Sequence, residues 1–229
     1  MIKKNVKYLI FLKYGKYSRE GKMFMKVAMC IIFGYLFGSL SPSALLSRIK
    51  KKNLRDNGTG NLGATNVMLN FGKFYGILVM LFDILKAFFT VKLTAYLFPS
   101  NTLLPLIAGT AVVVGHIFPF YMHFKGGKGL ASFGGLILAY DPMTFLILFI
   151  IGISLMLILN FAVAIPASAS ILFPFFTLVK TSDVAVFITA LVLGSIIIFA
   201  HAANLSDAYH GEAPKIRDYI KNDLISHSK

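Results

Sequence analysis

Asn57-Gly58-Thr59-Gly60-Asn61-Leu62-Gly63-Ala64-Thr65-Asn66 carries no charge and lies between two long apolar runs, residues 26–46 and 77–98. Its three glycines let the backbone turn with N–H groups pointing inward, and its small hydroxyl and amide side chains add donors without bulk. Two readings fit the stretch: a cradle for a phosphate group, or a polar loop of ordinary Gly/Asn/Thr chemistry between two membrane helices. Under both, the flanking runs set the fold.

Such runs make up most of the chain. Of 229 residues, 57% are hydrophobic and 14% charged, and the apolar residues gather in stretches long enough to cross a bilayer. A soluble core of that size needs a more polar surface than these charged residues supply. The expected fold is an all-α, polytopic membrane bundle. A formal net charge of +14 points to an acidic partner. The basic residues sit mostly at the margins of the apolar runs, where they set topology or face anionic head groups and phosphorylated substrates; membrane lipid is expected as a partner and nucleic acid is not. The single cysteine, Cys30, lies in an apolar run and cannot form an intrachain disulfide.

Residues 1–22 hold Lys3, Lys4, Lys7, Lys13, Lys16, Arg19 and Lys22 against Glu20, with no small-residue cleavage site after an apolar stretch. They read either as a basic amphipathic segment on the membrane surface or as sequence upstream of the folded unit, with translation starting at Met23 or Met25. The second fits the membrane pattern, which begins there. The expected division is a basic extension over residues 1–24 and one membrane domain over 25–229. The first span, 26–46, is broken at Gly38-Ser39-Leu40-Ser41-Pro42-Ser43, where proline and small residues kink a helix or admit another backbone. The second, 77–98, contains Asp83 and Lys86, three apart on one helical face, as either a structural ion pair or a functional one. The third, 103–122, includes Gly115-His116-Ile117-Phe118-Pro119 and leads into His123-Phe124-Lys125-Gly126-Gly127-Lys128-Gly129. Residues 130–140 are apolar but short, a helix tilted under cover of its neighbours. Further spans fit 143–159, 164–179 and 184–200, and the tail from His201 is polar.

With 130–140 counted, about seven helices cross. If the N-terminus lies outside, then 47–75, 123–129 and the tail are cytoplasmic, and each carries Lys or Arg. The opposite face holds 99–102, 141–142 and 181–183, with no base apart from the bordering Lys180. This follows the positive-inside rule, which the basic extension alone breaks. The expected location is the cell membrane, multi-pass, with the site facing the cytoplasm. The glycine-rich loop and the Lys-Gly-Gly-Lys-Gly turn then meet His201 and Asn204 on one face. N–H donors, two lysines, a histidine and an amide, with little acid, suit a polyanion in a partly dehydrated pocket. The histidines are scattered and no carboxylate cluster or thiol accompanies them, so no metal is expected.

Gly38-Ser39 followed by Thr59-Gly60-Asn61-Leu62-Gly63-Ala64-Thr65-Asn66-Val67 resembles the first motif of the bacterial acyl-phosphate:glycerol-3-phosphate acyltransferase family, PlsY. Gly115-His116-Ile117-Phe118-Pro119 with Phe124-Lys125-Gly126-Gly127-Lys128-Gly129 resembles its second, and His201, Asn204 and Gly211-Glu212-Ala213-Pro214-Lys215 its C-terminal motif. The resemblance runs from about residue 25 to 216. It implies transfer of a fatty acyl group from acyl phosphate to the 1-hydroxyl of glycerol 3-phosphate, without a cofactor, giving lysophosphatidic acid and phosphate. By the same resemblance Lys128, His201, Asn204 and Thr65 are catalytic, and Thr59, Gly60, Asn61, Gly63, Asn66, Gly126 and Gly127 hold substrate phosphate. Phosphate is a good leaving group, so such an enzyme needs positioning and charge stabilisation more than a nucleophile.

The general base stays open between two readings. No histidine is followed five residues on by Asp, since His201 is followed there by Ser206 and His116 by Tyr121. The resemblance implies that the substrate's own phosphate takes the hydroxyl proton; a neutral His201 is the competitor. The chain also departs from the family. Leu69 stands where the first motif has an arginine that grips glycerol phosphate, Ala202 follows His201 in place of arginine, and a basic, hydroxyl-bearing patch is replaced by apolar residues around Ile165-Pro166. Arg55 or Lys73 is a candidate to compensate. A diverged member with another acceptor or weak activity, and a small anion or lipid-phosphate transporter, are the alternatives.

Overall fold

A helix in hydrocarbon satisfies its backbone internally, and the apolar runs fold accordingly. The computed structural model describes the backbone of residues 2–218 and the side chains of residues 21–218; the end of the expected tail, 219–229, lies outside the described residues. The chain forms α1 (Ile2–Ser39), α2 (Pro42–Ile49), α3 (Ala64–Phe71), α4 (Lys73–Leu97), α5 (Leu103–Ile117), α6 (Leu130–Tyr140), α7 (Pro142–Leu159), α8 (Ala164–Thr181), α9 (Val184–Ala200) and α10 (Ala202–Tyr209). A 3₁₀ turn, Phe120–Met122, follows α5.

Polar residues between the runs start and stop these helices. The Ser41 hydroxyl accepts from the Ala44 N–H with Pro42 at the first helical position, so the expected break in the first span ends α1 and starts α2. Asp141 and Asp183 cap α7 and α9 in the same way, and Asn101 accepts from the N–H groups of Leu103 and Leu104. Asn160 and Ser182, both left-handed, end α7 and α8.

Among the described residues, five helical segments are long and apolar enough to cross a membrane: Gly21–Ile49, Lys73–Leu97, Leu103–Met122, Pro142–Leu159 and Ala164–Thr181. Val184–Ala200 makes a sixth together with Ala202–Tyr209, across a 60° bend. Leu130–Tyr140 is the short apolar helix of the expected seven. Its 11 residues rise only about 16 Å, half a bilayer core. Accordingly α6 is sheltered: Ser132, Phe133, Gly135, Leu136 and Ile137 are buried.

The central helix is α5, packed by α1, α4, α6 and α9. Small residues set its contact with α1. A Cβ on Gly38 would lie 2.1 Å from the Val112 carbonyl oxygen, and one on Gly115 2.2 Å from that of Tyr35, so the two backbones touch. The helix α7 buries little beyond Thr144, Leu148 and Gly152 and presents its apolar surface outward. On one face Asp141, before α7, pairs with Lys180 at the end of α8. The expected grouping of 141–142 with 181–183 is therefore seen. The other ends of α6, α7, α8 and α9 then lie on the opposite face, with loops 50–63 and 123–129. There the tail returns to the end of α7, where the Arg217 N–H donates to Asn160 Oδ1 at 3.0 Å.

Candidate active site

The glycine-rich loop is closed by Asn66. This residue, 1% exposed, sits in the first turn of α3 and turns its amide back into the loop. Its Nδ2 donates to the carbonyls of Leu54 (2.7 Å) and Asn61 (2.8 Å). Its Oδ1 accepts from the Thr59 N–H (2.8 Å) and Asn70 Nδ2 (3.0 Å). A primary amide offers two donors and two lone pairs, so this one is fully taken up within the loop. Gly58 is required beside it: its φ is +63°, and a Cβ there would lie 2.2 Å from Asn66 Oδ1. Thr59, Gly60 and Thr65 are exposed around this fixed centre, and Asn61 and Gly63 half-exposed. Ala64 and Thr65 open α3, where N–H groups have no preceding helical carbonyl to donate to.

The second loop folds back on the last turn of α5. The N–H groups of Gly126 and Gly127 donate to the carbonyls of Ile117 (2.8 Å) and His116 (3.1 Å). A side chain at either position has no room: a Cβ on Gly126 would lie 2.0 Å from the His116 carbonyl oxygen, and one on Gly127 2.2 Å from His116 Nε2. His116 belongs to a buried network beneath. Lys86 Nζ lies 3.0 Å from the carbonyl oxygens of Gly38 and Leu40, 3.0 Å from His116 Nδ1 and 2.8 Å from Asp83 Oδ1. An ammonium has three protons. Given to the two carbonyls and to His116 Nδ1, which then accepts, they leave Asp83 Oδ1 beside the ammonium as its ion-pair partner, 3.2 Å from the same ring nitrogen. The pair on α4 thus clamps the broken end of α1 and backs the second loop through His116. The spacing of Asp83 and Lys86 signals the pairing; their partners, tens of residues away, have no local signal.

Above Gly127, the half-buried Lys128 ammonium donates to Asn204 Oδ1 on α10. Burial pushes the Lys128 pKa below the ordinary lysine value, and the nearby Asp207 charge offsets part of that. Three residues before Asn204, His201 occupies the bend between α9 and α10 and is buried. Its Nδ1 lies 3.0 Å from the Ile197 carbonyl, which only accepts, so the proton is on Nδ1. The neutral ring leaves Nε2 with a lone pair.

The structure therefore joins Lys128, Asn204 and His201 in one corner, with Gly126 and Gly127 just before Lys128 and held against the end of α5. Thr59, Gly60, Asn61, Gly63, Thr65 and Asn66 form the neighbouring loop. Among the described residues no hydrogen bond runs directly from Thr65 to Lys128 or His201; the loops are tied by Arg55 Nη2 donating to the Lys125 carbonyl, and by Ser43 Oγ donating to the Leu62 carbonyl at 2.6 Å. The Arg55 tie spans 70 residues and carries no sequence signal. Leu69 is 53% exposed on α3.

Fold and site together define an integral membrane protein with a cationic, donor-rich corner at one end of a helix bundle. Residues 28–211 match the family model described as glycerol-3-phosphate acyltransferase. The chain is 34% identical to the glycerol-3-phosphate acyltransferase of Aquifex aeolicus, over 80% of this chain and 95% of that protein. It is 31% identical to that of Bacillus subtilis, over 84% and 99%. Its structure is similar to the crystal structure of PlsY, an integral membrane glycerol 3-phosphate acyltransferase, in its glycerol 3-phosphate form, with a TM-score of 0.76 and 32% identity over 83% of this chain and 95% of that one. A lysophosphatidic acid form of PlsY matches with a TM-score of 0.73 at 31% identity, over 82% and 94%. The chain belongs to the glycerol-3-phosphate acyltransferase family and is a membrane acyltransferase.

Proposed function

We propose that this chain transfers the acyl group of an acyl phosphate to the 1-hydroxyl of glycerol 3-phosphate, on the cytoplasmic side of the cell membrane. The hydroxyl oxygen attacks the acyl carbonyl carbon, the carbon–oxygen bond to phosphate breaks, and lysophosphatidic acid and inorganic phosphate leave. The observation that carries this is the Lys128–Asn204 contact beside His201, which gathers a cation, an amide and an imidazole lone pair at the Lys-Gly-Gly-Lys-Gly turn. Lys128 balances phosphate charge as it develops on the leaving group. The open N–H groups at Ala64 and Thr65, with the hydroxyls of Thr59 and Thr65, orient the phosphates, while Asn66, Gly126 and Gly127 hold the loops in shape. The acyl tail lies among the helices. The acyltransferase domain is 25–229, preceded by the basic extension 1–24, and the N-terminus is outside.

The proton leaves the hydroxyl by one of two routes, to the substrate's phosphate or to His201 Nε2. The Nδ1–H bond to Ile197 orients the ring and keeps Nε2 available, while substrate assistance needs only the positioned phosphate. Purified chain incubated with acyl phosphate and glycerol 3-phosphate is expected to form lysophosphatidic acid, detected by mass spectrometry, with one phosphate released per product. Absence of product in a folded sample contradicts the proposal. His201→Gln separates the routes: substantial retained activity supports substrate assistance, and near-complete loss with intact folding supports His201.

A reading with a weaker or different acceptor is favoured by one observation, the exposed Leu69 in place of the family's arginine. Losing one phosphate contact at such an exposed position weakens acceptor binding about tenfold, near 1.4 kcal/mol. Saturation with glycerol 3-phosphate at ordinary substrate concentrations removes that reading.

A further inference from the structure

Beside the catalytic corner, α2, the loop after it and the turn after α5 line a cleft of about 760 Å³. That volume is within the range of small-ligand sites, roughly 300–1,000 Å³. Thr59, Thr65, Lys128, His201 and Asn204 do not line it. Its walls bring together Arg48, Lys51, Lys52, Arg55 and Lys125, with His123 between them, and no Asp or Glu. Among the described residues none of these cations is in an ion pair; Arg55 is bound to a backbone carbonyl. Five positive charges around one cleft repel each other, and the arrangement is favourable when an anion fills it. Lys51 and His123 hold left-handed backbone, φ +50° and +53°, at the two bends that fold this lining together.

The rim shows which anion fits. Leu45 and Ile49, one helical turn apart on α2, are 61% and 65% exposed, and Phe120 and Phe124 are exposed beside the opposite wall. Lys50, next to the lining lysines, lies instead over the Tyr75 ring of α4, 4.9 Å from its centroid. A short helix with exposed leucine and isoleucine and a row of cations at its end suits the boundary between head groups and acyl chains. A freely soluble phosphate has no use for the apolar rim; a phospholipid has.

We propose that this cleft binds the head-group phosphate of an anionic phospholipid from the surrounding leaflet, with its acyl chains over Leu45, Ile49, Phe120 and Phe124. The site is separate from the acyl-transfer corner and anchors α2 and the two loops at the membrane surface. The test uses the full chain in nanodiscs of phosphatidylcholine with about 20 mol per cent phosphatidylglycerol, extracted gently and read by native mass spectrometry for retained lipid. The wild type retains phosphatidylglycerol in preference to phosphatidylcholine. Lys51→Ala with Lys52→Ala loses about thirtyfold of that preference, the effect of two interfacial lysines, with unfolding in detergent unchanged. Lys125→Gln is the second variant, since its carbonyl, and not its side chain, holds Arg55; it loses part of the preference. Equal retention by wild type and variants overturns the proposal. So does displacement of phosphatidylglycerol by millimolar glycerol 3-phosphate or inorganic phosphate, which makes the cleft a site for soluble phosphates. Acyl transfer is not the readout, so failure here leaves the catalytic assignment untouched.

Discussion

Two groups of polar side chains lie on either side of Gly127 and contain similar residues. Below it, Asp83, Lys86 and His116 are buried, and the three protons of Lys86 all have acceptors, His116 Nδ1 among them. Above it, among the described residues, Lys128 donates only to Asn204, and His201 keeps an unused lone pair at Nε2. A lysine and a histidine occur in both. The difference is whether their hydrogen-bonding capacity is already taken up. The lower group holds α1, α4 and α5 together, and the upper one keeps donors and a lone pair for the proposed substrate phosphates.

The largest expected effect comes from breaking the lower group. Lys86→Met leaves Asp83 charged and unpaired in the bundle, at a cost of about 3–5 kcal/mol, read as a lowered unfolding temperature or loss of folded protein in detergent. Adding Asp83→Leu to that variant is expected to restore much of the stability, because a buried pair is often replaceable by apolar groups. Lys128→Ala is the mirror case: kcat falls on the order of 10²–10³-fold, while the unfolding temperature stays within a degree or two. The wild-type pH profile sharpens the contrast. Burial lowers the Lys128 pKa, so its charge, and activity with it, is lost as pH rises through a value below that of ordinary lysine. In Lys128→Arg whatever activity survives keeps no such alkaline limb.

Gly127→Ala couples the two groups, since its Cβ meets His116 Nε2 at 2.2 Å. It is expected to cost about 1–3 kcal/mol and to lower activity as well, because Lys128 moves with the loop. Leu69→Arg has a smaller effect of opposite sign. It lowers the KM for glycerol 3-phosphate about tenfold, near 1.4 kcal/mol, with little change in kcat. On the far face, Asp141→Asn changes stability by less than about 1 kcal/mol, since its partner Lys180 is exposed. Partial burial works against ionisation of Asp141, yet hydrogen bonds from Lys180 and Thr144 hold its pKa below the usual carboxylate range. Its contribution is therefore present above the unfolded carboxyl pKa and lost as pH falls through the folded value, and the asparagine variant lacks this slope.

Much of this was legible along the chain because membranes impose long periods. The spans follow from apolar runs, the break at Gly38–Pro42 from proline and small residues, and the grouping of loops from where lysine and arginine fall. The Asp83–Lys86 pairing followed from helical spacing. What the chain hid is of longer range. Nothing beside Asn66 in sequence distinguishes an amide that binds a ligand from one consumed by Leu54, Asn61, Thr59 and Asn70; that depends on the loop closing. The motif lysine and glycines look alike as phosphate donors, yet Gly126 and Gly127 are dictated by the close approach of α5. The cationic cleft is a product of α2 turning at Lys51 toward a turn more than 70 residues on.

The most direct test of the central claim, that the group above Gly127 handles phosphorylated substrates, is the initial rate of phosphate release from acyl phosphate with and without glycerol 3-phosphate, in wild type and Asn204→Ala. A rate that saturates with glycerol 3-phosphate in the wild type, and falls at least tenfold in a folded Asn204→Ala protein, is the predicted result. Equal rates in the two proteins, or release that ignores glycerol 3-phosphate, would contradict it.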